Sequence, residues 1–333
     1  MQKTALILGA TGGFGNASLA ALQRHGWRLR ALARDPDVAR RRLAAPHDID
    51  WRGGDALAAA DVARAAEGVD LLVHAVNPPG YRNWQGLALP MLDNAIAAAR
   101  GADARLVLPG NVYNFGTDAG PLLREDSPQH PRSRKGAVRV EMERRLAVAA
   151  GEGLRALVLR AGDFFGPHAP ASWLQTAMVK PGRPLTRVVY PGETEVGHTW
   201  AYLPDLTETL AQLADRDSQL EPFAVFHFAG HYCERGIDFA HAIARAAGRP
   251  DLPVKGFPWW LVGLAAPAVP LFREVGEMRY VWREPLRLDN ARLVATLGRE
   301  PHTPLVAALR ETLLGLGCVA AEPTVRARQR ALA

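Results

Sequence analysis

The sequence is poor in cysteine and has no apolar run long enough to cross a membrane. Cys233 and Cys318 are far apart, so neither a disulfide framework nor a thiolate metal site is predicted. The apolar stretch from Leu261 to Phe272 is short and contains Pro267 and Pro270. The N-terminal apolar segment runs directly into a glycine-rich stretch and does not resemble an export signal. We therefore expect a cytoplasmic protein with no membrane partner.

Clustered charge of one sign and metal-binding patterns are also scarce. The net charge is +6 and the pI about 9.7, but the arginines are spread along the chain. The short basic runs are typical of solvated helix faces and a basic tail, so no nucleic-acid partner is expected. His227 and His231 do not share a helical face, and no Gly-x-Ser-x-Gly nucleophile motif occurs. We expect a small-molecule substrate, and a homodimer is one option for the assembly.

Strand and helix patterns alternate through the first half of the chain. Apolar segments predict strands, and the segments between them predict helices that often end at a glycine such as Gly26. The predicted strands are 4–8, 27–33, 71–75, 105–108, 155–160 and 223–228, and the main helices are 14–25, 84–100, 135–150 and 204–214. This alternation predicts an α/β protein with a doubly wound parallel sheet.

After Gly230 the sequence becomes rich in proline and tryptophan, with helices predicted at 238–247, 289–297 and 303–316. We expect a smaller, mostly helical C-terminal lobe that binds substrate. The predicted sheet domain comprises residues 1–165 and 192–230, the lobe 166–191 and 231–322, and a flexible tail 323–333.

A glycine-rich loop follows the first predicted strand and opens a helix. Gly9, Gly12 and Gly15, with Thr11 and Phe14 between them, have the spacing of a dinucleotide-binding turn. The first glycine makes the turn, the second admits the pyrophosphate, and the third allows the helix to pack on the sheet. The loop predicts a Rossmann fold that binds a nicotinamide dinucleotide.

The end of the second predicted strand bears on the choice of dinucleotide. Arg34 comes first there and Asp35 follows. A guanidinium binds the 2′-phosphate of NADP, whereas an acidic residue accepts a hydrogen bond from the ribose of NAD. We expect NADP, with NAD as the alternative that Asp35 would serve.

These motifs resemble those of the extended or atypical short-chain dehydrogenases/reductases, close to the NAD-dependent epimerase/dehydratase and NmrA-like groups. The resemblance covers roughly residues 1–230. It implies that Asp55 meets the adenine, that Ala75 and Asn77 lie along the cofactor, and that Ala161 belongs to a segment beside the nicotinamide. It also aligns Val112-Tyr113 and His198 to Leu206 with segments of this family.

The family's usual catalytic Tyr-x-x-x-Lys is absent from the sequence. An ungapped alignment puts Lys135 at the tyrosine position and Arg139 at the lysine position, and no serine stands near Leu108 to Asn111. In one explanation a reductase uses another acid: Tyr113 or Lys135 transfers the proton, Lys135 also being able to hold the ribose. Alternatively, Tyr113 packs on the sheet and Lys135 is an exposed lysine at a helix start.

Two further explanations stay open. In the first, the acid belongs to the substrate-binding loops, where the candidates are Tyr81, Asp163, His168, Tyr190, His198 and Tyr202. Otherwise the protein binds NADP without turnover, as a redox sensor or regulator. Aromatic loops around Phe164 and Trp173 favour a carbonyl, enone or aromatic substrate. We therefore predict an NADP-dependent oxidoreductase, with a nucleotide-sugar epimerase or dehydratase as a further alternative.

Overall fold

The computed structural model describes residues 2–43, 48–78, 83–267 and 269–320. The predicted tail at 323–333 and the candidate Tyr81 lie outside these ranges. The strands are β1 Thr4–Leu8, β2 Arg28–Ala33, β3 Ile49–Gly53, β4 Leu71–His74, β5 Arg105–Asn111, β6 Leu122–Leu123, β7 Arg155–Ala161, β8 Asp163–Phe165, β9 Val188–Tyr190, β10 His198–Tyr202, β11 Phe223–Phe228, β12 His231–Cys233, β13 Val254–Gly256 and β14 Arg287–Leu288. The helices are α1 Gly13–Arg24, α2 Pro36–Arg42, α3 Ala59–Ala66, α4 Trp84–Gly101, α5 Arg134–Gly151, α6 Leu203–Asp215, α7 Ile237–Ala246, α8 Trp259–Ala265, α9 Pro270–Glu277, α10 Ala291–Leu297 and α11 Leu305–Gly315.

In the described part of the chain, seven parallel strands form the central sheet in the order β11-β7-β5-β4-β1-β2-β3. The chain leaves β1 toward β2 and β3, then crosses back to β4 on the other side of β1. Ligands of such sheets bind where the strand order reverses, beyond the carboxyl ends of the strands. The predicted doubly wound parallel sheet is confirmed, and the switch point lies between β1 and β4.

Side chains of the central strands alternate between two apolar layers. Ile7 and Val73 face the layer that contains α1 and α6, whereas Leu6 and Leu72 face the layer of α3, α4 and α5. These four side chains are fully buried. Because both faces of the sheet are covered, its central strands are continuous apolar runs, which explains why they are recognisable in the sequence.

A third apolar cluster, around Trp200, Phe239 and Trp282, packs β10 against the C-terminal lobe. Here β8 pairs with β10, and β10 pairs with β12, in a small sheet separate from the central one. This arrangement turns the residues that follow β7 away from the central sheet and toward the lobe. None of the described helices is both long and apolar enough to cross a membrane.

Candidate active site

The glycine loop brings three backbone segments into close contact. Gly9 has a φ of +87°, and a Cβ on it would lie 2.7 Å from the carbonyl carbon of Ala75. A Cβ on Gly15 would collide with the Gly9 carbonyl oxygen, so α1 packs directly on the turn. The Gly12 N–H donates to Gly9 O at 3.0 Å and closes the turn. At positions 9 and 15, any residue other than glycine would displace the backbone.

The start of α1 is available to an anion. Among the described residues no side chain caps this helix at Gly12, and its first turn contains no acidic residue. The first-turn N–H groups of a helix have no acceptor within the helix, and they carry its partial positive charge. An uncapped helix start beside a glycine turn is suited to bind a phosphate group.

A cavity of about 610 Å³ extends from this loop across the ends of β1, β2, β3 and β4. Five residues predicted to bind cofactor line it: Gly9, Thr11, Arg34, Asp55 and Asn77. Apolar side chains such as Leu57 and Met91 line it as well. Asp55 is held in a local turn, because its Oδ1 accepts the Leu57 N–H at 3.0 Å and its own N–H donates to Asp61 Oδ2 at 3.0 Å.

Two exposed arginines, Arg34 and Arg42, line the same cavity beyond β2. Among the described residues no carboxylate forms an ion pair with either of them. Asp35 also lines the cavity, but its Oδ1 caps α2 by accepting the Val38 N–H at 2.9 Å. Two cations therefore line the cavity, Arg34 directly after β2 and Arg42 at the end of α2, while Asp35 is engaged in a helix cap.

Besides Gly12, Gly15 and Lys135, three predicted cofactor residues lie off the cavity wall. The Phe14 ring is buried against Phe164, with 6.1 Å between ring centroids. Ala75 contributes backbone, since its N–H donates to Leu8 O at 2.9 Å directly beside Gly9. Ala161 is completely buried at the end of β7. Their positions therefore point to shaping of the loop and the sheet edge.

Tyr113 lies in a short helical turn directly after β5. The Asn111 Oδ1 accepts the Tyr113 N–H at 2.9 Å, which fixes the turn. A Cβ on Gly136 would collide with the Tyr113 carbonyl oxygen, so Tyr113 packs against the first turn of α5. Ser133 caps that helix by accepting the Gly136 N–H at 3.0 Å. Tyr113 thus comes from β5 but lies beside the helix start where the family usually has its tyrosine.

The Tyr113 hydroxyl belongs to a chain of three polar side chains. It donates to Asp163 Oδ1 at 3.2 Å, and His198 Nε2 lies 2.9 Å from Asp163 Oδ2. Asp163 and His198 are both largely buried. Gly162 makes this approach possible, because a Cβ there would collide with the Thr199 carbonyl oxygen of β10. The structure therefore joins the turn after β5 to a residue of β8 and a residue of β10.

Lys135 and Arg139 lie on one side of α5 and both approach the Trp84 ring, at 5.9 Å and 5.3 Å from its centroid. Lys135 Nζ pairs with Glu274 Oε2 of α9 at 2.9 Å. The neighbouring Arg134 pairs with Glu277. Lys135 is therefore a partly buried lysine that ties α9 to the start of α5.

Arg139 lies between the dinucleotide cavity and the end of β5, which leads to Tyr113. Its guanidinium donates to Pro109 O and to Asn77 Oδ1, each at 3.2 Å. Asn77 in turn lines the dinucleotide cavity. Burial and the Arg139 charge lower the pKa of His74 to about 3, so this neighbouring ring is neutral. Arg139 thus links the lysine position of the family alignment to the cofactor segment.

An aromatic cluster continues from His198 into the lobe. Trp282 stacks on the His198 ring with 4.1 Å between centroids and 6° between planes, and Trp173 packs edge-on against Trp282. The half-buried rings of Phe257 and Trp259 contact Trp173. The wall beside the polar chain is therefore predominantly aromatic.

The remaining acid candidates lie apart from this chain or are kept neutral. His168 is exposed and lines a separate cavity of about 240 Å³ beside α1. Tyr190 is buried against Trp282, and burial raises its pKa. Tyr202 donates to Glu311 at 2.5 Å, and burial together with this carboxylate raises its pKa.

Two residues of this region, Trp282 and Arg139, were not predicted as site residues. No local pattern in the sequence links Trp282 to His198. Arg139 did carry a signal, because it stands four residues after Lys135 at the family's lysine position. The Asn-Val-Tyr sequence at Asn111 was a second signal, since an Asn there can fix the turn that holds Tyr113.

Solved structures with similar folds cover almost the whole chain. MoeE5 in complex with UDP-glucose and NAD is 18% identical, with 99% of this chain and 100% of that chain covered and a TM-score of 0.69. A putative epimerase from Burkholderia cenocepacia is 18% identical over 95% and 99% of the two chains, with a TM-score of 0.73. UDP-N-acetylglucosamine 4-epimerase from Bacillus cereus is 13% identical over 97% and 99%, with a TM-score of 0.70.

Sequence comparison agrees with this fold. No curated protein sequence gives a match. The model of the NAD dependent epimerase/dehydratase family matches residues 5–230, which is more than half of the chain. The chain therefore belongs to the NAD-dependent epimerase/dehydratase family, as its motifs predict.

Proposed function

We propose that this protein is an NADP-dependent oxidoreductase in which Tyr113 exchanges a proton with a substrate oxygen. The observation that carries the proposal is the position of the Tyr113 hydroxyl. It lies at the carboxyl ends of β5 and β7, hydrogen-bonded to Asp163, at the same sheet edge as the dinucleotide cavity. Cofactor binding and proton transfer therefore share one edge of the sheet, where α/β proteins bind ligands.

The residues along the cavity fit a dinucleotide. A Cβ at Gly9 or Gly15 would fill the space that the turn needs, and the uncapped start of α1 suits the pyrophosphate. Asp55 and the apolar wall around Leu57 and Met91 suit the adenosine. When bound, the nicotinamide supplies hydride to the substrate carbon or accepts it from that carbon.

The preference for NADP rests on Arg34 and Arg42. Both residues line the cavity: Arg34 directly follows β2, where the adenine ribose is bound in this fold, and Arg42 ends α2. A guanidinium gives a phosphate two parallel hydrogen bonds and keeps its charge at any physiological pH. Asp35, the acidic alternative, already accepts a backbone N–H. NAD remains the second cofactor, which several of the similar structures contain.

Tyr113, Lys135 and Arg139 have separate roles in this proposal. In reduction the Tyr113 phenol gives its proton to the oxygen of a carbonyl substrate, and in oxidation it takes the hydroxyl proton. Lys135 adds a positive charge beside Trp84 at the start of α5. Arg139 holds Asn77 and the end of β5 in register through its two hydrogen bonds.

The aromatic wall favours a carbonyl, enone or aromatic substrate. The rings of Trp173, Phe257 and Trp259 offer apolar contact area and few hydrogen-bonding groups. A nucleotide-sugar epimerase or dehydratase is the second candidate. It is supported by the family match and by similar structures such as MoeE5, which was solved with UDP-glucose and NAD.

Two measurements on the same protein sample test the proposal. Fluorescence titration with NADPH and NADH gives cofactor affinity, and NADPH oxidation is followed with a panel of aldehydes, ketones and enones. The expected result is tight NADPH binding and turnover of at least one carbonyl class. Turnover of UDP-sugars alone, detected by NMR of the sugar, would favour the second candidate. Tight binding with no turnover on either panel would overturn the proposal in favour of a redox sensor.

A further inference from the structure

The polar chain behind Tyr113 contains two residues that the usual mechanism of an oxidoreductase of this fold does not require. We infer that Asp163 and His198 form a proton relay that acts through Tyr113, with Asp163 as the proton acceptor and His198 as its support. This inference rests on the proposed function. It is carried by the two contacts of Asp163: Oδ1 with the Tyr113 hydroxyl at 3.2 Å and Oδ2 with His198 Nε2 at 2.9 Å.

The direction of the first hydrogen bond suits proton removal. Because Tyr113 donates to Asp163, a lone pair of its oxygen remains to accept a substrate proton. In oxidation the substrate hydroxyl proton moves to the Tyr113 oxygen while the phenolic proton moves to Asp163 Oδ1. In reduction Asp163 first takes up a proton from water, and it then reprotonates Tyr113 as Tyr113 protonates the substrate oxygen. Each proton transfer breaks one O–H bond and forms another, the hydride passes between the substrate carbon and the nicotinamide, and after oxidation Asp163 releases its proton to water.

His198 keeps Asp163 in place by contacting its second carboxylate oxygen. The imidazole is clamped between the carboxylate at its edge and the Trp282 ring on its face. A buried carboxylate needs such a partner, since isolated charge in a low-dielectric region is unfavourable. The arrangement follows the logic of catalytic triads, in which a reacting hydroxyl is activated by a base that a third side chain orients. Asp163 and His198 are therefore positioning residues, and Tyr113 is the catalytic one.

The other titratable groups around the relay are held neutral. Burial raises the pKa of Tyr280, whose hydroxyl lies near Ser133 and the Tyr113 carbonyl, to about 12. Burial likewise raises the pKa of Cys233, which pairs with His198 across β10 and β12, to about 11. Tyr190, which feels the Asp163 charge, has its pKa raised mainly by burial. These groups do not compete with Asp163 for the proton at neutral pH.

The first test needs neither substrate nor cofactor. A histidine N–H that is buried and hydrogen-bonded to a carboxylate gives a downfield, slowly exchanging proton resonance. We expect this resonance in the wild type, its loss in His198→Leu, and its shift upfield in Asp163→Asn, which keeps the shape but removes the charge. Glu311→Gln removes the charge from another tyrosine–carboxylate pair of the lobe, Tyr202–Glu311, and should leave the resonance unchanged.

The second test measures turnover of the same variants with the carbonyl substrate found above. Asp163→Asn should lower kcat roughly 100-fold with KM and NADPH affinity nearly unchanged, because general acid–base groups contribute about this much. His198→Leu should lower kcat about tenfold, and His198→Gln, which retains an N–H donor near the Nε2 position, should restore most of it. Glu311→Gln should keep wild-type kcat.

A proton inventory on the wild type makes the inference independent of variant folding. In mixtures of H₂O and D₂O, with deuterated NADPH used to show that chemistry limits the rate, two moving protons give a curved plot of kcat against deuterium fraction. A linear plot, or a wild-type kcat in Asp163→Asn, would overturn the relay and leave the proposed function standing. Absence of wild-type turnover with every substrate would overturn both.

Discussion

The two halves of the functional edge of the sheet are built in different ways. The cofactor half, at the ends of β1 to β4, depends on backbone: glycines that allow close approach and a helix start with free N–H groups. The proton-transfer half, at the ends of β5, β7, β8 and β10, depends on side chains from distant segments. The first half can be coded by one short motif, whereas the second exists only after folding has joined Tyr113, Asp163 and His198.

The largest effect on cofactor affinity should come from adding one methyl group to the cofactor half. Gly15→Ala places a Cβ against the Gly9 carbonyl oxygen, which is rigid backbone. The helix must move away, at a cost of about 3 kcal/mol, which corresponds to a roughly 100-fold loss of NADPH affinity. Fluorescence titration measures the loss. Gly101→Ala, at the end of α4 with nothing near the added Cβ, is the matched control and should bind normally.

In the proton-transfer half, a substitution should lower turnover and leave cofactor affinity unchanged. Tyr113→Phe removes the hydroxyl that contacts Asp163 and keeps the ring that packs beside Gly136. It should lower kcat roughly 100- to 1000-fold, while NADPH affinity stays at the wild-type value. Steady-state kinetics and titration separate the two quantities. A parallel loss of NADPH binding would mean that the two halves are not independent, and a normal kcat would exclude Tyr113 as the proton donor.

The same contrast explains what the sequence predicted well. The glycine loop, the buried strands and Arg34 are local patterns, and the structure places Arg34 on the cavity together with the loop. The edge strand β3 and the helix α2 were not predicted, because β3 is half exposed and polar, with Asp50 and Arg52 on it. The polar relay had no local signal at all: Asp163 lies 50 residues from Tyr113 and 35 from His198 along the chain. Only its individual members were named as candidates, in competing explanations.

An intermediate effect on affinity should distinguish NADPH from NADH. Arg34→Ala and Arg42→Ala should each weaken NADPH binding by about 1.5 to 3 kcal/mol, the range for hydrogen bonds to charged groups, and leave NADH binding nearly unchanged. Arg40→Ala is the control, because Arg40 pairs with Asp37 on the same helix and is off the cavity wall. If the NADPH/NADH affinity ratio does not change in either variant, the cofactor half does not select NADP by these arginines.

A smaller effect on kcat is expected at Lys135, where the proton-transfer half meets α9. Lys135→Met should lower kcat about tenfold if the charge assists proton transfer. Glu274→Gln removes the partner of Lys135 and retains the lysine, so its kcat should change little. Equal losses in the two variants would instead show that the pair acts by holding α9 on α5, which thermal unfolding of both variants would also report.

The smallest effect concerns stability at the far end of α1. His25 contacts Asp215 at 2.6 Å and Glu208 at 2.8 Å, both on α6. Burial opposes the charged ring, but these two hydrogen bonds outweigh it and raise the pKa of His25. A raised folded-state pKa gives stability that is fully present below the unfolded value of about 6.5 and is lost as the pH rises through the folded value.

His25→Ala should therefore lower the unfolding free energy at about pH 6 by less than about 1 kcal/mol, because Asp215 is partly exposed and screened, and by much less at about pH 9. Urea unfolding at the two pH values checks the sign. NADPH affinity should not change at either pH, because the contact lies at the opposite end of α1 from the glycine loop. A loss of affinity that follows the loss of stability would show that α6 helps to hold the loop against β1, and that the cofactor half depends on tertiary packing as much as the other half does.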